Sequence, residues 1–235
     1  MTQTQPRVTR EALRDFFPGR QRGRFVLLPE HNVVFVKNAK AAASTITLWL
    51  HRIYTGNYTQ KPIRNIHANY AMPHSRELGW GRVARMLDGE AFRFGFVREP
   101  MRRLESAYLD KIERTTDERW RDEIRRVLEL PPDSPVGLDQ FVDALEAQDE
   151  RGMDPHWRPQ HLNLMHPLVE LDFVGRLENF DADLTRLREL AGLPDAPVTV
   201  RNVTKRPSGG VLDGHPGLQR RVRQVYAKDF ELYGY

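Results

Sequence analysis

The chain has 235 residues, of which 40% are hydrophobic and 29% charged, a length and composition typical of one well-buried globular domain. Its formal net charge of +4 suits an anionic ligand but is small for a protein that neutralises many phosphates, so we expect no nucleic-acid partner. It contains no cysteine, which excludes a disulfide framework and a thiolate metal site.

The N-terminal segment, MTQTQPRVTREALRDFF, has no apolar core of the signal-peptide type. No apolar run in the chain reaches the length needed to cross a bilayer, so we expect no membrane span and a cytoplasmic protein. Residues 1–31 are predicted to form an N-terminal arm with a short helix near residues 11–17. Residues 32–235 are predicted to form the domain.

Strands and helices alternate along this domain. Short β-branched or aromatic segments predict strands at residues 32–37, 92–97 and 171–175. Helices are predicted at residues 43–54, 75–87, 100–114, 117–130, 138–147, 180–190 and 216–230. The alternation favours an α/β fold, a single domain with a central, mainly parallel sheet flanked by helices. In such a sheet, ligands bind at the carboxyl ends of the strands.

The first strand is followed by a turn of small residues, NAKAAAST, that opens a helix. No glycine occurs between Arg24 and Tyr54, which excludes a Walker A nucleotide loop. Small side chains allow backbone N–H groups to approach an anion, Ser44 and Thr45 add hydroxyl groups, and Lys40 brings a positive charge. The alternative is an Ala-rich helix start with an N-capping serine, and this segment alone favours neither interpretation.

The second strand ends in a similar way, in FRFGFVREPMRRLESAYLDKI. Arg98 closes an apolar strand and precedes Pro100, a residue that commonly opens helices. We therefore expect its charge at the sheet edge, where a guanidinium can contact a phosphate through two hydrogen bonds. The alternative for the charges around it is an ordinary set of surface ion pairs on a helix, and for Arg98 itself we favour phosphate binding.

Together the two turns resemble the donor-binding segments of sulfotransferases that use 3′-phosphoadenosine-5′-phosphosulfate (PAPS). Arg98, followed eight residues later by Ser106, is similar to that family's 3′-phosphate motif. The resemblance implies PAPS as co-substrate, no metal, and a P-loop-like sulfotransferase fold. The residues that it assigns to the 5′-phosphosulfate loop are Lys40, Ala41, Ala42, Ala43, Ser44 and Thr45.

Two later stretches resemble the carbohydrate branch, sulfotransferase family 2. They are DPHWRPQHLNLMHPLVELDFVGRLENFDADLTRL and the ending VYAKDFELYGY. In that branch two cysteines flank the His-Pro step, and here Met165 and Leu168 occupy their places. The loss fits a reducing cytoplasm and suggests a soluble, bacterial relative. One departure is Ala39, where many relatives have proline before the lysine.

Sulfuryl transfer to a hydroxyl needs a base, and histidine is the natural one near neutral pH. Relatives that act on sugars carry a catalytic histidine in a context similar to NIHANY, which puts His67 first. His74 comes second, because the Met72-Pro73 step before it can turn the chain back toward the same cleft. The alternative for either residue is a solvated loop histidine. In the wider family a basic, Gly-containing loop near the C-terminus closes over the 3′-phosphate, which assigns Arg206 to donor binding.

We therefore expect sulfuryl transfer from PAPS to a hydroxyl of a carbohydrate, or of a glycosylated or other small-molecule acceptor. Lys40 would neutralise the leaving phosphate while His67 takes the proton. One alternative is a kinase-like phosphoryl transferase, against which the missing Walker glycines and Mg²⁺ ligands count. A weaker one is a basic nucleic-acid-binding module, which would interleave clustered cations with exposed aromatic residues. No pattern indicates which hydroxyl is the acceptor or an oligomeric state.

Overall fold

The computed structural model describes residues 8–16, 24–59, 63, 65–200 and 209–235. Its strands are β1 Phe25–Leu28, β2 Val33–Val36, β3 Phe92–Val97 and β4 Phe173–Arg176. Its helices are α1 Arg10–Phe16, α2 Ala43–Thr55, α3 Ile66–Asn69, α4 Ser75–Leu78, α5 Trp80–Arg85, α6 Pro100–Tyr108, α7 Arg119–Val127, α8 Leu138–Ala147, α9 Gln160–Asn163, α10 Phe180–Ala191, α11 Pro216–Val225 and α12 Ala227–Tyr233. The chain divides into two compact units, the first comprising residues 1–97 and 162–202 and the second residues 98–161 and 203–235.

The first unit is built on one sheet with the strand order β1-β2-β3-β4. β1 pairs antiparallel with β2, whereas β2 with β3 and β3 with β4 are parallel. The carboxyl ends of β2, β3 and β4 therefore lie at the same edge of the sheet. The predicted α/β class, with a mainly parallel sheet flanked by helices, is confirmed.

Both faces of this sheet are covered, which is why β2 reads VVFV with every residue buried. The rings of Phe35 and Phe94 stack on adjacent strands with centroids 5.0 Å apart. Trp49 of α2 is buried in the same core. Gly175 of β4 has to be glycine, because a Cβ there would lie 2.5 Å from the ring of Phe96.

Strand β1 was not among the sequence predictions. It forms a hairpin with β2 through the turn Pro29–His31, and Asn32 completes the reversal in the left-handed conformation with φ 53°. Asparagine tolerates that conformation better than most residues. The predicted boundary between an arm at residues 1–31 and a domain at residues 32–235 stays a prediction.

The second unit is a helical cluster around aromatic rings. Trp157 lies at its centre, with ring centroids 5.5 Å from Phe141 and 5.9 Å from Trp120. Arg103 of α6 is also buried here, and its guanidinium donates to the carbonyls of Pro155 and Arg158, each at 2.9 Å. Burial lowers the pKa of Arg103 below its usual range.

Two predicted helices are interrupted. The helix expected over residues 75–87 is divided into α4 and α5 at Gly79, whose φ of 79° no helix accommodates. The helix expected over residues 216–230 is divided at Tyr226, which is buried and donates its hydroxyl to the carbonyl of Trp157. None of the helices in the described ranges combines the length and apolar character that crossing a membrane requires.

Candidate active site

The loop after β2 has an unusual backbone. Lys40 and Ala42 are both left-handed, with φ of 66° and 59°. A left-handed residue among right-handed neighbours turns successive N–H groups toward one side, as in anion-binding nests. Ala42 is the N-cap of α2, so no side chain caps this helix and its first turn carries no acidic residue. The interpretation of Ser44 as an N-cap is therefore wrong.

Asn38 fixes the base of this loop. Its side chain is fully buried; Nδ2 donates to the carbonyl of Phe96 at 3.0 Å, and Oδ1 accepts from Nδ2 of Asn163 at 3.1 Å. The amide thus ties the residues after β2 to the end of β3. This contact holds the left-handed turn in place before α2 begins.

His67 reaches the same loop from the short helix α3. Its Nε2 lies 2.9 Å from Oγ of Ser44, within hydrogen-bonding distance. The chain that follows α3 is held by His51 of α2, whose Nδ1 accepts from the backbone N–H of Ala71 at 3.0 Å. One region of the first unit thus contains the cationic residue Lys40, the hydroxyl of Ser44 and the imidazole of His67.

His74, the second candidate base, is engaged differently. It is the N-cap of α4, and its backbone N–H donates to Glu77 at 3.1 Å. Its Nδ1 lies 3.2 Å from the hydroxyl of Tyr70, and the two rings are in contact with centroids 4.9 Å apart. Of the two histidines, His67 is therefore the one bonded to the start of α2, which directly follows the loop after β2.

Lys37 was overlooked at the level of the sequence. It directly follows β2, and its ammonium lies 5.3 Å from the centre of the Tyr70 ring. Desolvation by burial lowers the pKa of Lys37 to about 8. The signal available in the sequence was a lysine immediately after a wholly apolar strand.

The turn after β3 uses its helix start in another way. Glu99 is the N-cap of α6, and its carboxylate accepts from the N–H groups of Met101 at 3.1 Å and Arg102 at 2.7 Å. The helix N-terminal anion site expected at this turn is therefore occupied by the protein's own carboxylate. What the turn can offer a phosphate is the guanidinium of Arg98 and, two turns along α6, the hydroxyl of Ser106, a residue that is 2% exposed.

The backbone of Arg98 is held by a side chain from a distant segment. Its N–H donates to Oε1 of Gln160 at 3.0 Å, and its carbonyl accepts from Nε2 of Gln160 at 2.7 Å. Gln160 is fully buried, and its own N–H donates to Asp229 at 2.6 Å. Sequence reasoning missed both residues, because 62 and 69 positions separate the partners.

Arg206 lies outside the described residues. Residues 210–212 pack on α6: the N–H of Leu212 donates to Oε1 of Glu105 at 3.2 Å. A Cβ on Gly210 would collide with the ends of the Glu105 and Arg102 side chains, so a larger residue would require both to move. Residues 210–212 are thereby fixed beside Glu105, the residue preceding Ser106.

Within the ranges that the structure describes, no group of three or more histidine or acidic side chains is arranged to hold a metal ion. The groups assembled in the first unit are a lysine, a hydroxyl and an imidazole around a loop suited to an anion. That set can neutralise a leaving anion and accept a proton.

Comparison with known proteins agrees with this chemistry. The sequence matches the model of the sulfotransferase family over residues 23–235. It is 32% identical to human carbohydrate sulfotransferase 14 over 158 residues, which is 61% of this chain and 42% of the relative. It is 29% identical to carbohydrate sulfotransferase 12 of Xenopus laevis over 170 residues, 61% of this chain and 40% of the relative.

The chain thus spans less than half the length of these curated relatives. No solved structure matches it. Because the family match covers most of the chain, including both strand–helix turns, this protein belongs to the sulfotransferase family.

Proposed function

We propose that this protein transfers a sulfuryl group from PAPS to a hydroxyl of a carbohydrate acceptor. The observation that carries the proposal is the contact between His67 and Ser44, which lies in the first turn of α2 directly after the loop that holds Lys40. It puts a proton acceptor beside a cationic, backbone-lined anion site. Family membership supports the reaction type, and the printed names of the relatives support a carbohydrate.

The reaction is an in-line displacement at sulfur. The acceptor oxygen forms a bond to sulfur while the bond from sulfur to the bridging oxygen of the 5′-phosphate breaks. His67 takes the proton of the hydroxyl, and its contact with Ser44 keeps the imidazole beside the loop. The electron pair remains on the 5′-phosphate of the product, 3′-phosphoadenosine-5′-phosphate (PAP), where Lys40 and the loop N–H groups stabilise the new charge.

The two ends of the donor are assigned to different residues. In the first unit, residues 40–45 bind the 5′-phosphosulfate, supported by the left-handed backbone and the helix start without a side-chain cap. In the second unit, Arg98 binds the 3′-phosphate together with Ser106. Arg206 is proposed to join them, because four residues of chain, spanning at most about 14 Å, connect it to Gly210 beside α6.

We further propose that the protein acts in the cytoplasm of a bacterium. The support is the replacement of the two cysteines of the carbohydrate branch by Met165 and Leu168 in a chain without cysteine. On this proposal the His-Pro segment is held without a disulfide, by packing and by backbone hydrogen bonds such as that from the N–H of Val169 to the carbonyl of Met165 at 3.0 Å. Met165 and Leu168 are both buried, with 1% and 9% of their surface exposed.

The test has two parts. The thermal unfolding midpoint of the chain should rise with PAP and stay unchanged with ATP and Mg²⁺, because only a ligand of the native state stabilises it. Labelled sulfate should then pass from PAPS to at least one member of a panel of carbohydrate alcohols. Stabilisation by ATP and Mg²⁺ alone would instead favour a phosphoryl transferase, and no response to PAP would reject the donor.

A further inference from the structure

Gln160 stands out among the buried polar residues of the second unit because its side chain binds the backbone of Arg98 on both the N–H and the carbonyl side. One amide forms both hydrogen bonds of a single residue, accepting from the Arg98 N–H and donating to the Arg98 carbonyl. Two paired residues of a β-sheet exchange the same two hydrogen bonds, but here a side-chain amide supplies one half of the pair. The contact fixes the backbone position of Arg98, and with it the position of its Cβ atom.

This contact requires a side-chain amide. A backbone N–H can only donate and a carbonyl can only accept, so the orientation of the Gln160 amide is dictated by its partner. An ionised glutamate could accept from the Arg98 N–H but could not donate to the carbonyl. Methionine has a similar length and could make neither bond.

Gln160 is itself fixed by Asp229 at the C-terminal end of the chain. The fully buried carboxylate of Asp229 accepts from the backbone N–H groups of Gln160 at 2.6 Å and His161 at 2.9 Å. It also lies 2.8 Å from Nδ1 of His161, which as its partner supplies the proton because a carboxylate only accepts. The path from α12 to Arg98 is therefore continuous and buried.

We propose that Gln160, supported by Asp229, is a positioning residue that orients Arg98 toward the 3′-phosphate of PAPS. The proposal rests on the function proposed above. On the other side of Arg98, Glu99 caps α6 and immobilises the following turn. A guanidinium that starts from a fixed backbone loses less conformational freedom on binding and so binds its phosphate more tightly.

The experiment compares two nucleotides by calorimetry: PAP, which has the 3′-phosphate, and adenosine 5′-phosphate, which lacks it. Gln160→Met should weaken PAP binding roughly tenfold and leave adenosine 5′-phosphate binding within about twofold of wild type. Gln148→Met is the matched control, because Gln148 directly follows α8 and its side chain donates to the carbonyl of Ala144 in that helix, far along the chain from Arg98. It should change neither affinity.

A double variant isolates the route of the effect. In the Arg98→Ala background, Gln160→Met should cause no further loss of PAP affinity, since the residue through which it acts is gone. A full additional loss, or an equal loss for both nucleotides, would overturn the positioning role. Unchanged PAP affinity in Gln160→Met, with a clear loss in Arg98→Ala, would overturn this inference and leave the proposed function standing.

Gln160→Asn provides a second variant in case Gln160→Met does not fold. It keeps a neutral amide but is one methylene group shorter, so the amide cannot hold both backbone groups of Arg98 at hydrogen-bonding distance. It should fold and should weaken PAP binding selectively. Loss of folding in this milder variant would show that the pair is purely structural, and unchanged selectivity would contradict the proposal. Unchanged PAP affinity in Arg98→Ala would instead reject the function on which it rests.

Discussion

The turn after β2 and the turn after β3 share one plan, an apolar strand followed by polar residues and a helix, yet they treat the helix start in opposite ways. In the first, Ala42 caps α2 without a side-chain oxygen, and two left-handed residues shape the loop. In the second, the carboxylate of Glu99 accepts from the first-turn N–H groups of α6. The residue at the N-cap thus decides whether backbone or side chains can serve an anion.

The comparison assigns different tasks to the two turns. The first can carry chemistry, because it combines a backbone anion site with Lys40 and with the imidazole of His67. The second can carry recognition, because it offers the guanidinium of Arg98, and Gln160 fixes both the N–H and the carbonyl of that residue. Changes in the first turn should therefore alter turnover together with binding of the 5′-phosphate, whereas changes in the second should alter binding of the 3′-phosphate or stability without a direct effect on the chemical step.

The largest expected effect is that of His67→Ala. Removal of the base should lower the rate of sulfate transfer about 10²- to 10⁴-fold while PAP affinity stays near that of wild type. Transfer of labelled sulfate and calorimetry with PAP measure the two quantities. His74→Ala is the control; if it abolishes transfer while His67→Ala does not, the roles of the two histidines are exchanged.

Lys40→Ala should follow, with a turnover number lowered about 10²- to 10³-fold, because the charge that forms on the leaving phosphate loses its counter-charge. Lys228→Ala removes an exposed lysine of α12 and should leave turnover unchanged. The same labelled-sulfate assay measures both. Near-normal turnover in Lys40→Ala would remove the first turn from the chemistry.

Gly210→Ala tests whether the packing of residues 210–212 on α6 stabilises the second unit. The new methyl group would collide with Glu105 and Arg102, so the free energy of unfolding should fall by about 1–3 kcal/mol. Gly217→Ala is the control, because a Cβ at that helical position meets no neighbour. Denaturant unfolding compares the two, and equal stability would show that the segment after residue 208 does not depend on its contact with α6.

Lys37→Met has the smallest expected effect. Burial lowers the pKa of Lys37 from 10.5 to about 8, so the unfolded chain binds more protons between those values and native stability rises with pH across that window. At pH 7 the variant should be more stable than wild type by on the order of 1 kcal/mol. Denaturant unfolding at several pH values should show this advantage shrinking between pH 8 and 10.5; an advantage independent of pH would contradict it.

Local patterns carried much of the fold. The alternation of apolar strands with amphipathic helices predicted β2, β3, β4 and the helices around them, because periodicity reflects burial directly. Strand β1 escaped prediction because its pairing with β2 depends on the hairpin turn that ends at Asn32 and not on a pattern within FVLL. The break at Tyr226 escaped as well, because a hydrogen bond to a residue 69 positions away causes it.

The residues of the candidate site likewise divide into those that local sequence patterns could predict and those that depend on long-range contacts. Lys40 and Arg98 could be selected from sequence because each follows an apolar strand in a recognisable motif. The contact between His67 and Ser44 spans 23 residues across a loop, so no spacing rule could predict it. Gln160 lies 62 residues from Arg98 and binds its backbone. Because nearly every residue has the same backbone groups, this contact leaves no pattern in the sequence around Arg98.

The most direct test of the assignment is a calorimetric matrix of two variants and two ligands. Lys40→Ala should weaken binding of adenosine 5′-phosphate and leave adenosine 3′-phosphate almost unaffected, whereas Arg98→Ala should weaken adenosine 3′-phosphate by about 2–3 kcal/mol and spare the 5′-phosphate. This crossed pattern is the predicted result. Parallel losses for both ligands in either variant, or no loss in both, would contradict the division of donor binding between the two turns.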